Sequence, residues 1–518
     1  MTLELPLHGV GEAKPPLRTL IAMLDHAAAT APDVVAFRQR DTVLSWAGLA
    51  RAADALAARI AATVAPGEGI GLILPNSVAF PLAYLAALRA LSVPALLNPA
   101  YPPALLEALL ADAAVRALAC APSHAAAAAE IADRLGLAPP IVLDEAEITR
   151  LAASPDTCDR PPPGPETPAA MPFSGGTTGR SKGIEHTHER LIVSTRCMEY
   201  LWPTRNTGEV FLPVAPFTHI YGFLQGITVP LSARGTSVIP ERFKPDEIVD
   251  LMTRHRVTFF GGGPPAIYAG VLSAENLASA DLSALRVCPA GGAPFALELM
   301  ERWRRATGLP IHEGYGMTEI APISGVNDRT GLRPGSVGRA LPCNVVEVVD
   351  LETGTRILPA GERGEVRVRG PHLMQGYRNR PDETAATLRD GFLYTGDIGH
   401  MDAEGFVFIT DRKKDVVFVK GFNVFPREVE EVLHAHPGVN VAGVVGAADD
   451  RTGGERLIAF VVAMAGAAVK EADLAAHCAA RLAPYQCPSE IRLVESLPMT
   501  GAQKLDRLAL RRSVAMPA

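Results

Sequence analysis

Strand and helix patterns that alternate over residues 16–120, short period-two runs over 344–410, and a change of texture after Asp411 predict an α/β protein. The expected architecture has two parts. The large N-terminal domain, 1–411, holds α/β parallel-sheet subdomains and a β-barrel-like subdomain. The small α+β C-terminal domain is 412–518. A chain of 518 residues is too long for one ordinary hydrophobic core.

LRTLIAMLDHAAATAP carries apolar residues at helical spacing and stops before Pro32, so 16–60 reads helix, strand, helix. IGLIL at 70–74 is a buried strand, and Asn76 or Ser77 is the expected cap of the next helix. Helix 78–91, strand 92–97, helix 103–113 and strand 116–120 follow. Such alternation implies a parallel sheet. RPPPGPETPAAMP at 160–172 reads as an extended surface connector, with an interdomain linker as the alternative. VVEVVD, GEVRVRG and GFVFITD form the antiparallel, barrel-like region. FPREVEEVLHAHPGV is an amphipathic helix, and VAGVVGA and RLIAFVVA are strands.

Hydrophobic residues make up 48% of the chain and charged residues 20%, which places it among globular proteins. A net charge of −7 argues against nucleic acid as the main partner. The seven cysteines are widely spaced and contain no C-x-x-C, a poor basis for a disulfide framework or a structural zinc site. A cytoplasmic location is expected, since the N-terminus lacks a basic region followed by an apolar core. The most apolar stretch, 77–97, is broken by Pro81, Arg89 and Pro94, so no integral membrane segment is expected. A homodimer is compatible with this reading.

The chemistry begins at PFSGGTTGRSKG, 172–183. Ser174, Gly175, Gly176, Thr177, Thr178 and Gly179 bring many backbone N–H groups together, and glycine permits the close approach that an anion nest needs. Thr177 and Thr178 add hydroxyl donors, and Lys182 a point charge. The plain alternative is a glycine-rich turn between strand and helix. It is not a Walker A loop, because two residues separate Gly179 from Lys182.

FSGGTTGRSKG resembles the phosphate-loop signature of the acyl-adenylate-forming superfamily: acyl- and aryl-CoA synthetases, firefly luciferase and the adenylation domains of nonribosomal peptide synthetases. EGYGMTE (313–319), YTGD (394–397), DRKKDVVFVKGFNVFPREVE (411–430) and LPMTGAQKLDR (497–507) resemble further family blocks in the family's order. The resemblance spans essentially the whole chain. There are departures: Ser181 replaces the usual proline, Gly175 a common serine, and GAQK the commoner SGK. The Gly-Gly loop is similar to bacterial long-chain fatty acyl-CoA synthetases.

The resemblance implies an ATP-dependent acid–CoA ligase acting through acyl-AMP, with ATP, Mg²⁺ and coenzyme A, and a role in fatty acid metabolism. It implies that Tyr315 stacks near adenine, Thr318 binds phosphate and Glu319 holds Mg²⁺. Glu313, Gly314, Gly316, Met317, Gly292, Ala293 and Ile409 belong with the nucleotide ligands. Asp397 and Arg412 would hold the ribose; alone, an Asp after Tyr-Thr-Gly is equally a turn residue. Lys504 is implied as the catalytic cation, beside Thr178, Glu319 and His219. Lys504 would offset repulsion between carboxylate and α-phosphate; without its flanks it would be a tail lysine. Lys414 falls at the hinge for domain rotation, or is a solvated charge in a basic run. Lys420, Gly421 and Phe422 would line the pantetheine channel.

PFTHIYGF (216–223) is similar to the family's acyl-pocket wall, with His219 near the carboxylate or serving structure. Gly261–Gly263 and Gly291–Pro294 would flank that pocket, whose small residues suit an apolar tail. A medium- or long-chain fatty acid is the expected carboxylic acid, with a benzoate or cinnamate as the alternative. Transfer to a carrier protein and nucleotide binding without ligation are the competing readings.

Overall fold

The structure, a computed structural model, describes residues 14, 16–174, 181–326, 331–419, 422–449, 454–464, 466–499 and 505–515. The chain packs as two compact units. The first comprises Met1–Leu332, Gly338–Val345 and Arg369–Leu393, and the second Arg333–Val337, Val346–Val368 and Tyr394–Ala518.

In the first unit, Ile141–Val142, Val115–Cys120, Gly69–Ile73, Val93–Leu97 and Pro168–Ser174 lie side by side in that order, all parallel. Successive side chains serve opposite faces, as a pleated strand requires. Leu72, Leu96 and Ala119 enter one core with the helices Leu20–Thr30, Trp46–Ala61 and Ala79–Arg89. Ile73, Leu97 and Cys120 enter a second core with Pro103–Asp112 and Ala125–Arg134. Both faces are covered, which is why these strands read as continuous apolar runs. Helix Ala79–Arg89 is buried from Ala79 to Leu88. Phe80 and Leu82 each contribute roughly 1.5–3 kcal/mol by burial.

The expected cap at Asn76 or Ser77 is corrected. The helix starts at Ala79 and has no side-chain cap. Asn76 instead donates to Ala215 O at 2.9 Å and accepts from Phe217 N at 2.8 Å. Its amide ties the end of one sheet to the segment that leads to His219.

A second sheet of the same unit runs Phe259–Gly261, Val210–Pro213, Thr236–Val238, Val35–Gln39, with Thr42–Ser45 antiparallel at the edge. Its core contains Phe260, Tyr268 and Trp303, whose rings meet at centroid distances of 4.7–5.8 Å. Isolated bridges from Phe259 to Val287 and Gly263 to Ala290 link it to a third sheet, Pro289–Gly291, His312–Met317, Ile320–Gly325 and Arg339–Ala340. The proline-rich stretch stays inside this unit: Arg160 donates to Ala61 O and Val64 O at 2.9 and 2.6 Å, and the strand Pro168–Ser174 follows. It is a connector, not an interdomain linker.

The second unit contains a sheet of Val345–Val349, Gly364–Arg369 and Phe392–Met401, the last pairing antiparallel with Val407–Arg412. This is the half-barrel texture expected over 344–410. Its C-terminal sheet pairs Val439–Asp449 with Gly454–Ala463 antiparallel and adds Glu490–Leu493 in parallel. Pro426–His434 and Glu471–Ala479 cover one face through Val429, Leu433 and Leu474. Leu510 of Arg507–Ala515 packs on Val445, Ile458 and Phe460. Among the described residues, no helix is long and apolar enough to cross a membrane.

Candidate active site

The strand Pro168–Ser174 ends where the glycine-rich segment begins, and Ser174 pairs antiparallel with Lys182. The segment therefore joins two paired strands. Helix His188–Leu201 comes only after a further strand, His186–Thr187. Gly175, Gly176, Thr177, Thr178 and Gly179 lie outside the described residues, as do Lys420, Gly421 and Lys504.

Lys182 is placed by two neighbours. Its Nζ pairs with a Glu383 carboxylate oxygen and stands 4.5 Å from the Tyr377 ring centroid. Tyr377 in turn donates its hydroxyl hydrogen to Glu319 Oε1 at 2.8 Å. Glu319 is buried at 5% exposure, and its backbone oxygen accepts from Met374 N at 2.9 Å. A continuous chain, Lys182–Tyr377–Glu319, thus joins the flank of the glycine-rich segment to the end of the EGYGMTE block. Burial, with the Glu319 charge beside it, raises the Tyr377 phenol well above its ordinary range, so it stays a donor.

Thr318 O accepts from His186 Nε2 at 2.8 Å. Burial lowers the His186 pKa to about 4, so the ring is neutral at pH 7 and the bonded nitrogen carries the hydrogen. Gly314 lies opposite Gly291 and Glu313 opposite Ala290 in a parallel pair, which sets Gly292 and Ala293 beside the Gly314–Met317 strand. A Cβ at Gly291 would fall 2.7 Å from Gly314 O, and Gly292 has φ +86°, which glycine adopts without penalty. Tyr315 lies opposite Ser324 and Met317 opposite Ile320; Gly316 has backbone atoms of Ala321 and Pro322 within 3.3 Å of a notional Cβ.

His219 caps the short helix Ile220–Phe223, its Nδ1 accepting from Tyr221 N at 3.3 Å. A Cβ at Gly222 would sit 2.2 Å from Pro216 O, so this turn needs glycine. The Tyr221 and Tyr268 hydroxyls both donate to Pro289 O, at 2.8 and 2.6 Å, fixing the strand that ends at Gly291.

In the second unit, Asp397 is opposite Arg412, and their side chains pair at 2.6 Å. Asp397 is buried while Arg412 is nearly half exposed. The two expected ribose ligands are thus held together by strand register. Ile409 lies opposite Gly399 on the same strand pair. Phe422 is exposed and stacks on Tyr485 with centroids 4.3 Å apart. Met499 bridges Leu505, so the residues flanking 500–504 are paired. Arg507 makes a bidentate pair with Glu430 at 2.6 and 2.9 Å, which anchors the helix just beyond Lys504.

Sequence reading missed Tyr377, Glu383 and His186. Tyr377 and Glu383 lie in GYRNRPDET, which carries no charge or glycine spacing that marks a site. His186 is one of two histidines, with His188, in the polar run EHTHE, which carries no spacing that marks a site.

Two family models match: AMP-binding enzyme over residues 24–378, and AMP-binding enzyme C-terminal domain over 428–504. A long-chain-fatty-acid–CoA ligase of Bacillus subtilis (strain 168) is 37% identical over 344 residues, 66% of this chain and 61% of that protein. A feruloyl-CoA synthase of Amycolatopsis sp is 33% identical over 94% of this chain and 97% of that one. The crystal structure of ATP-bound MatB from Rhodopseudomonas palustris superposes with a TM-score of 0.87 at 31% identity, covering 95% of this chain and 98% of that one. The chain belongs to the AMP-binding enzyme family. Its place in that family is among the AMP-forming acyl-CoA synthetases.

Proposed function

We propose that the acid is a medium- or long-chain fatty acid, converted in two half-reactions. The observation that carries this is the wall around His219. The Tyr221 hydroxyl is engaged by Pro289 O and its ring lies against Gly263 and Gly291, so this segment offers carbon and small residues to a guest. The likeness to a long-chain-fatty-acid–CoA ligase supports it. The full-length likeness to a feruloyl-CoA synthase favours the second reading, an aromatic acid.

In the first half-reaction a carboxylate oxygen attacks the α-phosphorus of ATP, an O–P bond forms, and pyrophosphate leaves. Ser174, the residues 175–179 and Lys182 would hold the phosphates, Gly292, Ala293 and Glu313–Thr318 the adenine and phosphate edge, and Asp397, Ile409 and Arg412 the ribose side. Lys504 would offset the repulsion between the two anions, and Thr178 and His219 would orient them. The donor set at Glu319, a buried carboxylate steadied by a phenol, fits Mg²⁺, which takes carboxylate and phosphate oxygens. When bound, Mg²⁺ neutralises charge on the leaving pyrophosphate. In the second half-reaction the CoA sulfur attacks the acyl carbon, its proton is lost, and AMP leaves. Here 412–518 would rotate about Lys414, withdraw Lys504, and bring Lys420–Phe422 to the acyl-adenylate. The division 1–411 and 412–518 is this division of labour, in a cytoplasmic enzyme.

ATP–pyrophosphate exchange over an acid panel tests the substrate. C8–C16 acids should turn over, and turnover of hydroxycinnamates alone would exclude the fatty-acid reading. Mass spectrometry with free CoA should detect acyl-CoA; acyl-AMP that accumulates unchanged would point to a carrier-protein acceptor. Lys504→Ala should lose adenylation on the order of a hundredfold.

A further inference from the structure

We propose that Cys197, Cys343 and His372 form a buried zinc site behind the strand that follows Glu319. The three residues are far apart in sequence but are brought together in the first unit, with their ligand atoms all within 4.8 Å of one another. Cys197 and His372 are fully buried and Cys343 is 8% exposed. The two sulfurs are 3.5 Å apart. Tetrahedral zinc with Zn–S bonds of about 2.3 Å places sulfurs about 3.8 Å apart, so a small adjustment seats the ion.

The histidine carries the argument furthest. His372 Nε2 hydrogen-bonds Pro322 O at 2.8 Å, which puts the hydrogen on Nε2 and leaves Nδ1 with its lone pair. Nδ1 is buried and faces the Cys343 thiol, so a donor atom of the cluster is turned toward the sulfurs. A ligating histidine that donates its other N–H to a backbone carbonyl is the usual outer-shell arrangement of a metal site. Asn344 Oδ1, 3.6 Å from Cys343 Sγ, is a further oxygen beside the cluster.

Charge selects the ion. Binding releases two thiol protons, and Zn²⁺, two thiolates and a neutral imidazole sum to zero, whereas Cu⁺ would leave a buried negative charge. No redox step is involved. The ion would join helix His188–Leu201, which carries Cys197, to two segments that already grip the strand. Asn344 donates to Pro322 O and Ile323 O at 3.2 and 2.9 Å, and His372 shares Pro322 O. Such burial implies loading as the chain folds.

The test is zinc content of the full chain, expressed with added zinc and passed through gel filtration. The expected result is about one zinc per chain, falling to about a tenth or less in Cys197→Ser and Cys343→Ser and unchanged in Cys478→Ser. Zinc-free parent protein, or zinc retained by the double serine variant, would overturn the site. So would peptide mapping that finds Cys197 and Cys343 joined as a disulfide. Should the serine variants fail to fold, the parent expressed with cobalt decides. A thiolate-to-cobalt charge-transfer band supports the site, and its absence at full cobalt supply overturns it.

Discussion

Tyr377 donates its hydroxyl hydrogen to Glu319 Oε1 at 2.8 Å while its ring faces Lys182 Nζ from 4.5 Å, so one side chain positions both an anion and a cation. Tyr377→Phe keeps the ring and removes the donor. A hydrogen bond to a charged group is worth about 1.5–3 kcal/mol net. Urea unfolding should show a loss of about 1–2 kcal/mol, and kcat/KM for ATP should fall roughly tenfold. An unchanged Mg²⁺ dependence in this variant would remove Glu319 from the metal role.

Glu383 competes for the same lysine. If Lys182 serves the phosphates, it must leave the Glu383 carboxylate to do so. The carboxylate is more than a third exposed, so the pair is worth at most about 1 kcal/mol. Glu383→Gln should therefore lower KM for ATP by a factor of up to about five, measured by pyrophosphate exchange. A rise in KM would mean instead that Glu383 aims Lys182 at its ligand.

Much of this arrangement is legible in the amino-acid pattern. The helices and strands between 69 and 120 fall where periodicity puts them, because strands buried on both faces write long apolar runs. The blocks at 313–319 and 394–397 carry glycines and carboxylates at telling spacing. What stayed hidden depends on register and long-range packing. Nothing local shows that Asp397 stands opposite Arg412, that Asn76 reaches residues 215–217 instead of capping a helix, or that Tyr377 meets Glu319. Nor does cysteine spacing report that Cys197 and Cys343, 146 residues apart, meet in the fold.

The Asp397–Arg412 pair makes a separable prediction about ribose. Asp397→Asn removes the charge but keeps the shape, and should raise KM for ATP about tenfold or more. Comparing ATP with 2′,3′-dideoxy-ATP in parent and variant isolates the contact. The parent should discriminate strongly against the dideoxy nucleotide, and the variant much less. Equal discrimination in both would leave Asp397 as a partner of Arg412 only.

His186 sets an acid limit on the first unit. Burial depresses its pKa from 6.5 to about 4, outweighing the hydrogen bond to Thr318 O, which raises it. The sign follows from proton counts: between pH 6.5 and about 4 the unfolded chain binds a proton that the folded chain refuses, so stability rises with pH there. This contribution is fully present above about pH 6.5 and is lost progressively down to about pH 4, in total on the order of 3 kcal/mol. His188, also buried and lowered to about 4, adds in the same direction. Chemical unfolding at pH 7.5 and 5.0 should show the parent less stable at the lower pH. His186→Gln retains a donor toward Thr318 O but cannot titrate, so its loss over that interval should be smaller than the parent's by about 1–2 kcal/mol. An identical pH slope in parent and variant would mean that the imidazole takes up its proton without opening the fold.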